Sequence, residues 1–368
     1  MKSYIKYTFT IFIIFLLGCE NKGYHTLTIN NSVYKPNTVF RSFEDRKSQK
    51  FEHLKDKYQL DTVVDHQLDE LTQILKFRQW INRVIEIDVT PGRKYSGGGY
   101  AEGILDAALT GEGFHCGHFM IVQNAILNGY GYVTRCIGAG PGIPGIVDNH
   151  HGINEVWLNS YNKWFLCDAK YNHHFEKNGT PLSALEIRDE YLKNEPADIV
   201  MVKGLNRIPT KFDDVLERSK ESFARTYTWV EWDAHTNRFT VWPDFETLLV
   251  MYEDTYFKNH KWLWDGKPHW AYDTDFLIPE PNRDAIEWTP NTIASNIIIE
   301  NKQAIIELIS DTPNLLEYQM KKLPNGNWEK VGYKVLLELN ETQYEIVFRA
   351  VNMAEISGPK HRVIISSR

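Results

Sequence analysis

The stretch NEVWLNSYNKWFLCDA, residues 154–169, constrains the fold more than any other part of the chain. Two apolar and aromatic runs, 154–158 and 163–169, flank the polar tetrad NSYN at 159–162. This pattern predicts an antiparallel hairpin, because Asn and Ser favour the turn while β-branched and aromatic side chains fit a pleated surface. A hairpin has a positional consequence. The start of its first strand lies beside the end of its second, so His151, just before the first run, and Asp168 become cross-strand neighbours.

Upstream, GFHCGHF at 113–119 sets Cys116 between two histidines. Phe119, Val122 and Ile126 repeat at helical spacing, and Asn128-Gly129 offers a helix stop. Cys116 therefore falls at or within a turn of a helix N-terminus. Residues 41–61 carry mixed charge and read as helical, and a stronger helix runs over about 66–85, with Leu68, Leu71, Leu75, Ile81 and Val84 near one face. TPGRKYSGGGY (90–100) is a loop, AEGILDAAL (101–109) a short helix, YVTRCIG (132–138) a strand and AGPGIPG a loop before His151.

A cysteine at a helix start is set up for chemistry. The free N–H groups and the dipole favour an anion and lower the thiol pKa. The same donors, including the Cys116 N–H, can stabilise an oxyanion. A histidine can supply the base, and a carboxylate can hold the imidazole in its useful tautomer. Cys116, His151 and Asp168 supply these groups in chain order.

Cys116 at a helix start, H-x-x-N-E-V-W-L from His151, and K-W-F-L-C-D-A ending on Asp168 together resemble the transglutaminase-like core, whose chemistry is similar to that of papain. The resemblance covers about residues 66–175. It implies a nucleophile at Cys116, a base at His151 (the register with Glu155 and Val156 selects it over His150) and an orienting acid at Asp168. Trp164 matches the family tryptophan four residues before the aspartate. Ile153 stands where family members often carry Trp or Phe, and no Gln stands a few residues before Cys116 to serve as a second oxyanion donor. The implied activity is cleavage or transfer of an amide in a peptide, isopeptide or glycopeptide through an acyl-enzyme. K-W-F-L-C-D also resembles the peptide N-glycanase branch. No cofactor is implied, and no acidic loop suggests calcium.

Other readings compete. His115, Cys116 and His118, with His150, His151, His173 or His174, contain zinc-ligand types, but adjacent helical residues point apart. Otherwise His115 and His118 read as capping or surface residues. Cys136 and Cys167 read as small core residues, too far apart to pair if the His151 strand lies between them. Glu155 reads as a solvated or structural strand residue. Trp229, Trp232, Trp242, Trp262, Trp264 and Trp270 crowd a short stretch. They fill a core or, for Trp229, Trp232, Trp262, Trp264 and Trp270, line a platform for sugar rings or a peptide. On that second reading the chain is a non-catalytic glycan- or peptide-binding lipoprotein.

The first residues, MKSYIKYTFTIFIIFLLGCE, carry Lys2 and Lys6 ahead of a short apolar run. Leu16-Leu17-Gly18-Cys19 resembles the bacterial lipoprotein cleavage box, which implies lipidation of Cys19 and anchoring to a cell-envelope membrane. A net charge of -7 with no basic block argues against nucleic acid as a partner. From about residue 286 short β-rich runs follow one another, with Asn325-Gly326 as a hairpin turn between two of them. The expected architecture is α+β: a signal peptide (1–18), a tether (19–40), a transglutaminase-like core (41–180), an aromatic-rich extension (181–285) and an immunoglobulin- or fibronectin-like β-sandwich (286–368).

Overall fold

A computed structural model describes residues 23–28, 31–90, 94–96, 98–141, 150–213, 218–256, 263–264, 267–268, 275–300 and 302–367. The chain is α+β, with helices on both faces of a mostly antiparallel sheet and further antiparallel sheets beside it.

The chain opens with β1 (Tyr24–Thr28) and then a helical half: α1 (Gln49–Lys57), α2 (Glu70–Val84), α3 (Ala101–Leu109) and α4 (Cys116–Gly129). Ser48 and Asp69 cap α1 and α2 by accepting backbone N–H bonds. The apolar stripe expected over 66–85 lies in α2, where Leu71, Ile74, Leu75, Phe77 and Ile81 are buried. Two consecutive strands follow, β2 (Thr134–Gly140) and β3 (His151–Leu158), then β4 (Lys163–Cys167). β3 and β4 pair antiparallel from Leu158↔Lys163 to Asn154↔Cys167, with residues 159–162 as the turn.

The chain continues through β5 (His173–Lys177), α5 (Ala184–Asn194), β6 (Val200–Lys203), β7 (Ile208–Thr210), α6 (Lys220–Thr226), β8 (Trp229–Asp233), α7 (Arg238–Val241), β9 (Leu249–Tyr252), β10 (Leu277–Glu280) and α8 (Arg283–Ile286). The central sheet runs β10-β9-β8-β2-β3-β4. Its β9–β10 pair is parallel and the rest are antiparallel.

One face of this sheet buries Val156, Leu158, Phe165 and Cys167 against α1–α4. The other buries Ile153, Trp157, Trp164, Leu166 and Trp232 against α5 and α6. Residues 181–285 are thus not a separate extension. They supply three strands of the sheet and one of its two covering layers, because the apolar face opposite α4 needs a partner of its own.

The last part contains β11 (Ala294–Glu300), β12 (Gln303–Ile309), β13 (Leu315–Lys322), β14 (Glu329–Val331), β15 (Lys334–Glu338), β16 (Gln343–Asn352) and β17 (His361–Ser367). They form a three-stranded sheet, β11-β12-β15, and a five-stranded one, β1-β17-β16-β13-β14. Ile306, Leu308 and Leu337 of the first share a core with Met320, Phe348, Val363 and Ile365 of the second. Asn325-Gly326 sits within a six-residue connection between β13 and β14, rather than forming a two-residue turn by itself.

Parts of the segment expected as a tether pack against the rest of the chain. Tyr24–Thr28 pairs with β17, Tyr34 donates to Asp311, and Phe40 is buried in the core. Cys19 and the apolar run before it lie outside the described residues. No helix among the described residues is long and apolar enough to cross a membrane.

Candidate active site

Cys116 is the first residue of α4, and His115 is its N-cap. His115 Nδ1 accepts the Gly117 N–H at 3.2 Å. The ring of Tyr95 packs against His115 and His118, with centroids 5.1 and 4.7 Å away. Cys116 is half-buried, whereas Cys136 and Cys167 are fully buried, and all three are free thiols. Cys136 and Cys167 each pair in register with Asn154 on the strand between them. Two strand spacings of about 4.8 Å separate them, too far for a disulfide. Burial raises both their pKa values.

His151 opens β3, opposite Ala139 of β2. Asp168 directly follows β4. The hairpin brings them together: His151 Nε2 lies 2.8 Å from Asp168 Oδ2, and both side chains are almost fully buried. Asp168 Oδ1 accepts the Tyr171 N–H at 3.0 Å, which orients the carboxylate. The Tyr171 ring stacks on the imidazole, with centroids 5.2 Å apart. With Nε2 directed at Asp168, Nδ1 is the ring nitrogen left to act on Cys116, and His151 lowers the pKa of that thiol.

The electrostatics follow from these contacts. Burial works against a thiolate at Cys116. Hydrogen bonds from His115 and His151, with the positive charges of His151 and Lys170, overcome it and hold the pKa well below the ordinary thiol range. Burial likewise opposes charge on His151, but the Asp168 carboxylate and the thiol raise its pKa. Despite burial, the neighbouring histidines hold the Asp168 carboxyl below the usual carboxylate range. All three directions favour a thiolate–imidazolium–carboxylate row.

Glycine sets the fit between helix and strand. A Cβ on Gly152 would lie 3.3 Å from Gly117 Cα and 3.5 Å from Met120 Sδ. The bare backbone at 152 lets the start of α4 rest on β3 beside His151.

The other candidates fall elsewhere. His118 is buried against Phe114 and Tyr95, and burial with the charge of His115 lowers its pKa to about 4. His173 lies behind Asp168, its Nε2 3.5 Å from Oδ2. His174 sits between Arg78 and Glu176, 2.8 Å from each. Among the described residues no three His, Cys, Asp or Glu side chains gather to hold a metal.

Glu155 is not solvated. Its Oε2 accepts from Arg135 Nε and Nη2 and from Trp232 Nε1, and its Oε1 accepts the Ala184 N–H. Trp232 therefore belongs to the core, and Trp229 is buried as well, so neither offers a face for a sugar or peptide. Trp264 lies in a two-residue strand, while Trp262 and Trp270 fall outside the described residues. So do residues 142–145 of AGPGIPG (139–145).

Sequence reasoning missed Tyr171, Lys170, Gly152 and the double duty of His115. Gly152 had a readable signal, since a glycine inside a strand marks close backbone approach. A cavity of about 1090 Å³ lies away from this site, between α2, the C-terminal end of α4 and residues 354–360. The length of α4 separates it from Cys116 by about 20 Å.

The chain matches no family model and, at a significant level, no curated protein.

Proposed function

We propose that this protein is a transglutaminase-like thiol enzyme that cleaves or transfers an amide through an acyl-enzyme on Cys116. The observation that carries the reading is the row formed at the start of α4: His151 held at 2.8 Å by a buried Asp168, and Cys116 at the helix N-terminus with its thiol pKa lowered by His151. The thiolate attacks the carbonyl carbon, and the Cys116 N–H at the helix start stabilises the resulting oxyanion. His151 then gives its proton to the leaving nitrogen, the C–N bond breaks, and the acyl group remains on sulfur. Water, activated by His151 as base, attacks the thioester and restores the thiol. Asp168 acts through His151 as a positioning residue.

The wider reading includes a peptide, isopeptide or glycopeptide substrate, a fibronectin-like sandwich formed by the two C-terminal sheets, and a cell-envelope anchor through lipid on Cys19. The burial of Trp229 and Trp232 counts against the rival binding platform.

The test is the pH dependence of Cys116 alkylation by iodoacetamide, beside His151→Ala. Fast labelling well below pH 8 that slows on losing His151 is the expected result. A thiol with an ordinary pKa, indifferent to His151, would sink the proposal.

A further inference from the structure

Glu231 carries a buried carboxylate that the chemistry at Cys116 does not use. The residue is 5 % exposed. Its Oε2 accepts a bond from Trp229 Nε1 at 3.3 Å, and no cationic side chain among the described residues pairs with it. Burial, with the nearby charge of Asp233, pushes its pKa up to about 7 against that one hydrogen bond. An unpaired carboxylate in such a place is costly for folding alone, and groups of this kind concentrate at functional sites.

Its position gives the cost a use. Glu231 pairs with Gly138, and Gly138 pairs with Gly152, so the three form one row across β8, β2 and β3. A Cβ on Gly138 would meet Glu231 Oε1 at 2.7 Å and Cγ at 3.1 Å. The side chain therefore leans across its neighbour strand, and it can do so because position 138 is bare. At the other end of the row, Gly152 carries Gly117 and the start of α4 on its surface. Opposed Cβ positions in an antiparallel pair lie about 5 Å apart, which places the carboxylate within about 11 Å of Gly117 Cα.

We infer that Glu231 forms an ammonium-binding subsite beside Cys116, holding a primary ammonium group carried by the acyl donor. The inference rests on Cys116 as the nucleophile. An attacking amine would have to be neutral, and an ion pair with Glu231 would keep it protonated, so the cation belongs to the donor. At about 3.4 Å per extended residue, that cation lies within about three residues of the scissile carbonyl.

Two thiol reagents of similar size test this on the intact protein. Cationic 2-aminoethyl methanethiosulfonate and neutral methyl methanethiosulfonate are compared at pH 8, with labelling at Cys116 read by peptide mass spectrometry. The cationic-to-neutral rate ratio is expected to fall by a few-fold to about ten-fold in Glu231→Gln, the span of one charge at this distance between protein-like and water-like screening. Gly138→Ala, whose Cβ displaces the carboxylate without removing it, is expected to lower the ratio in the same direction, and it decides the matter if Glu231→Gln does not fold. Fast labelling by the neutral reagent with an unchanged ratio overturns the subsite and leaves the nucleophile standing. Slow labelling of wild type by the neutral reagent overturns the nucleophile itself, and the subsite with it.

Discussion

His151 Nε2 and Asp168 Oδ2 stand 2.8 Å apart at the open end of a hairpin whose turn lies at residues 159–162. The pair is buried, so the carboxylate acts on the imidazole with little screening from water. Asp168→Asn keeps the shape and removes the charge. His151 then loses the group that raises its pKa, and Cys116 loses part of the positive charge that lowers its own. The thiol pKa is expected to rise, because a close opposite charge no longer favours the thiolate. At pH 6 this appears as about a ten-fold or greater drop in iodoacetamide labelling of Cys116. An unchanged labelling profile would separate Asp168 from the thiol.

Gly152 controls how closely α4 approaches β3. In Gly152→Ala the new methyl meets Gly117 Cα at 3.3 Å, and the start of the helix has to yield by a few tenths of an ångström. Gly152→Val adds two further methyl groups to the same gap. Labelling at Cys116 is expected to fall about three-fold in the alanine variant and more than ten-fold in the valine variant, since misplacement by about 1 Å costs on the order of a hundred-fold in comparable sites. Melting temperature, followed by circular dichroism, checks that the fold survives. Equal labelling in all three proteins would mean the contact does not position the thiol.

The hairpin was readable because its information is local: a polar turn between two runs dense in strand-forming residues. The neighbouring positions of His151 and Asp168 followed from the turn alone. The start of α4 was also readable, from the helical spacing of Phe119, Val122 and Ile126 and the Asn128-Gly129 stop. The insertion of β8 beside β2 was not, because the paired residues are about ninety positions apart and single-sequence patterns carry no pairing signal over that distance. Trp229 and Trp232 suffered from the same blindness, since an aromatic residue looks alike whether it fills a core or lines a surface. Glu155 could have been placed by alternation. It shares a face of β3 with Ile153 and Trp157, both of which are buried.

Arg135 and Glu155 sit directly opposite each other on β2 and β3, both buried, with the guanidinium 3.9 Å from the centre of the Trp164 ring. Removing one partner leaves an uncompensated charge in the core. Glu155→Leu and Arg135→Met are each expected to destabilise the protein by about 3–5 kcal/mol. The double variant is expected to lose much less than the sum, since neither charge is then stranded. Urea denaturation of the four proteins forms a double-mutant cycle that reads this coupling directly. Additive losses would show that the pair is incidental to the stability of the sheet.

Glu231 makes a prediction about stability that needs no substrate. Its carboxyl titrates near 4.5 when exposed and near 7 in the fold, chiefly because burial penalises the charged form. Between these values the folded state holds a proton that the unfolded state has released. The contribution of Glu231 to stability is therefore greatest below about pH 4.5, declines as pH rises, and levels off above about pH 7. Glu231→Gln removes this term and leaves the other titrating groups in place. The stability of the variant relative to wild type is expected to climb by about 1.4 kcal/mol per pH unit across that interval, and by about 3 kcal/mol in total. Urea midpoints at pH 5, 6 and 7 measure the climb. A constant offset between the two proteins would mean that the carboxyl titrates alike in both states, and that Glu231 is neither desolvated nor held in reserve for a cation.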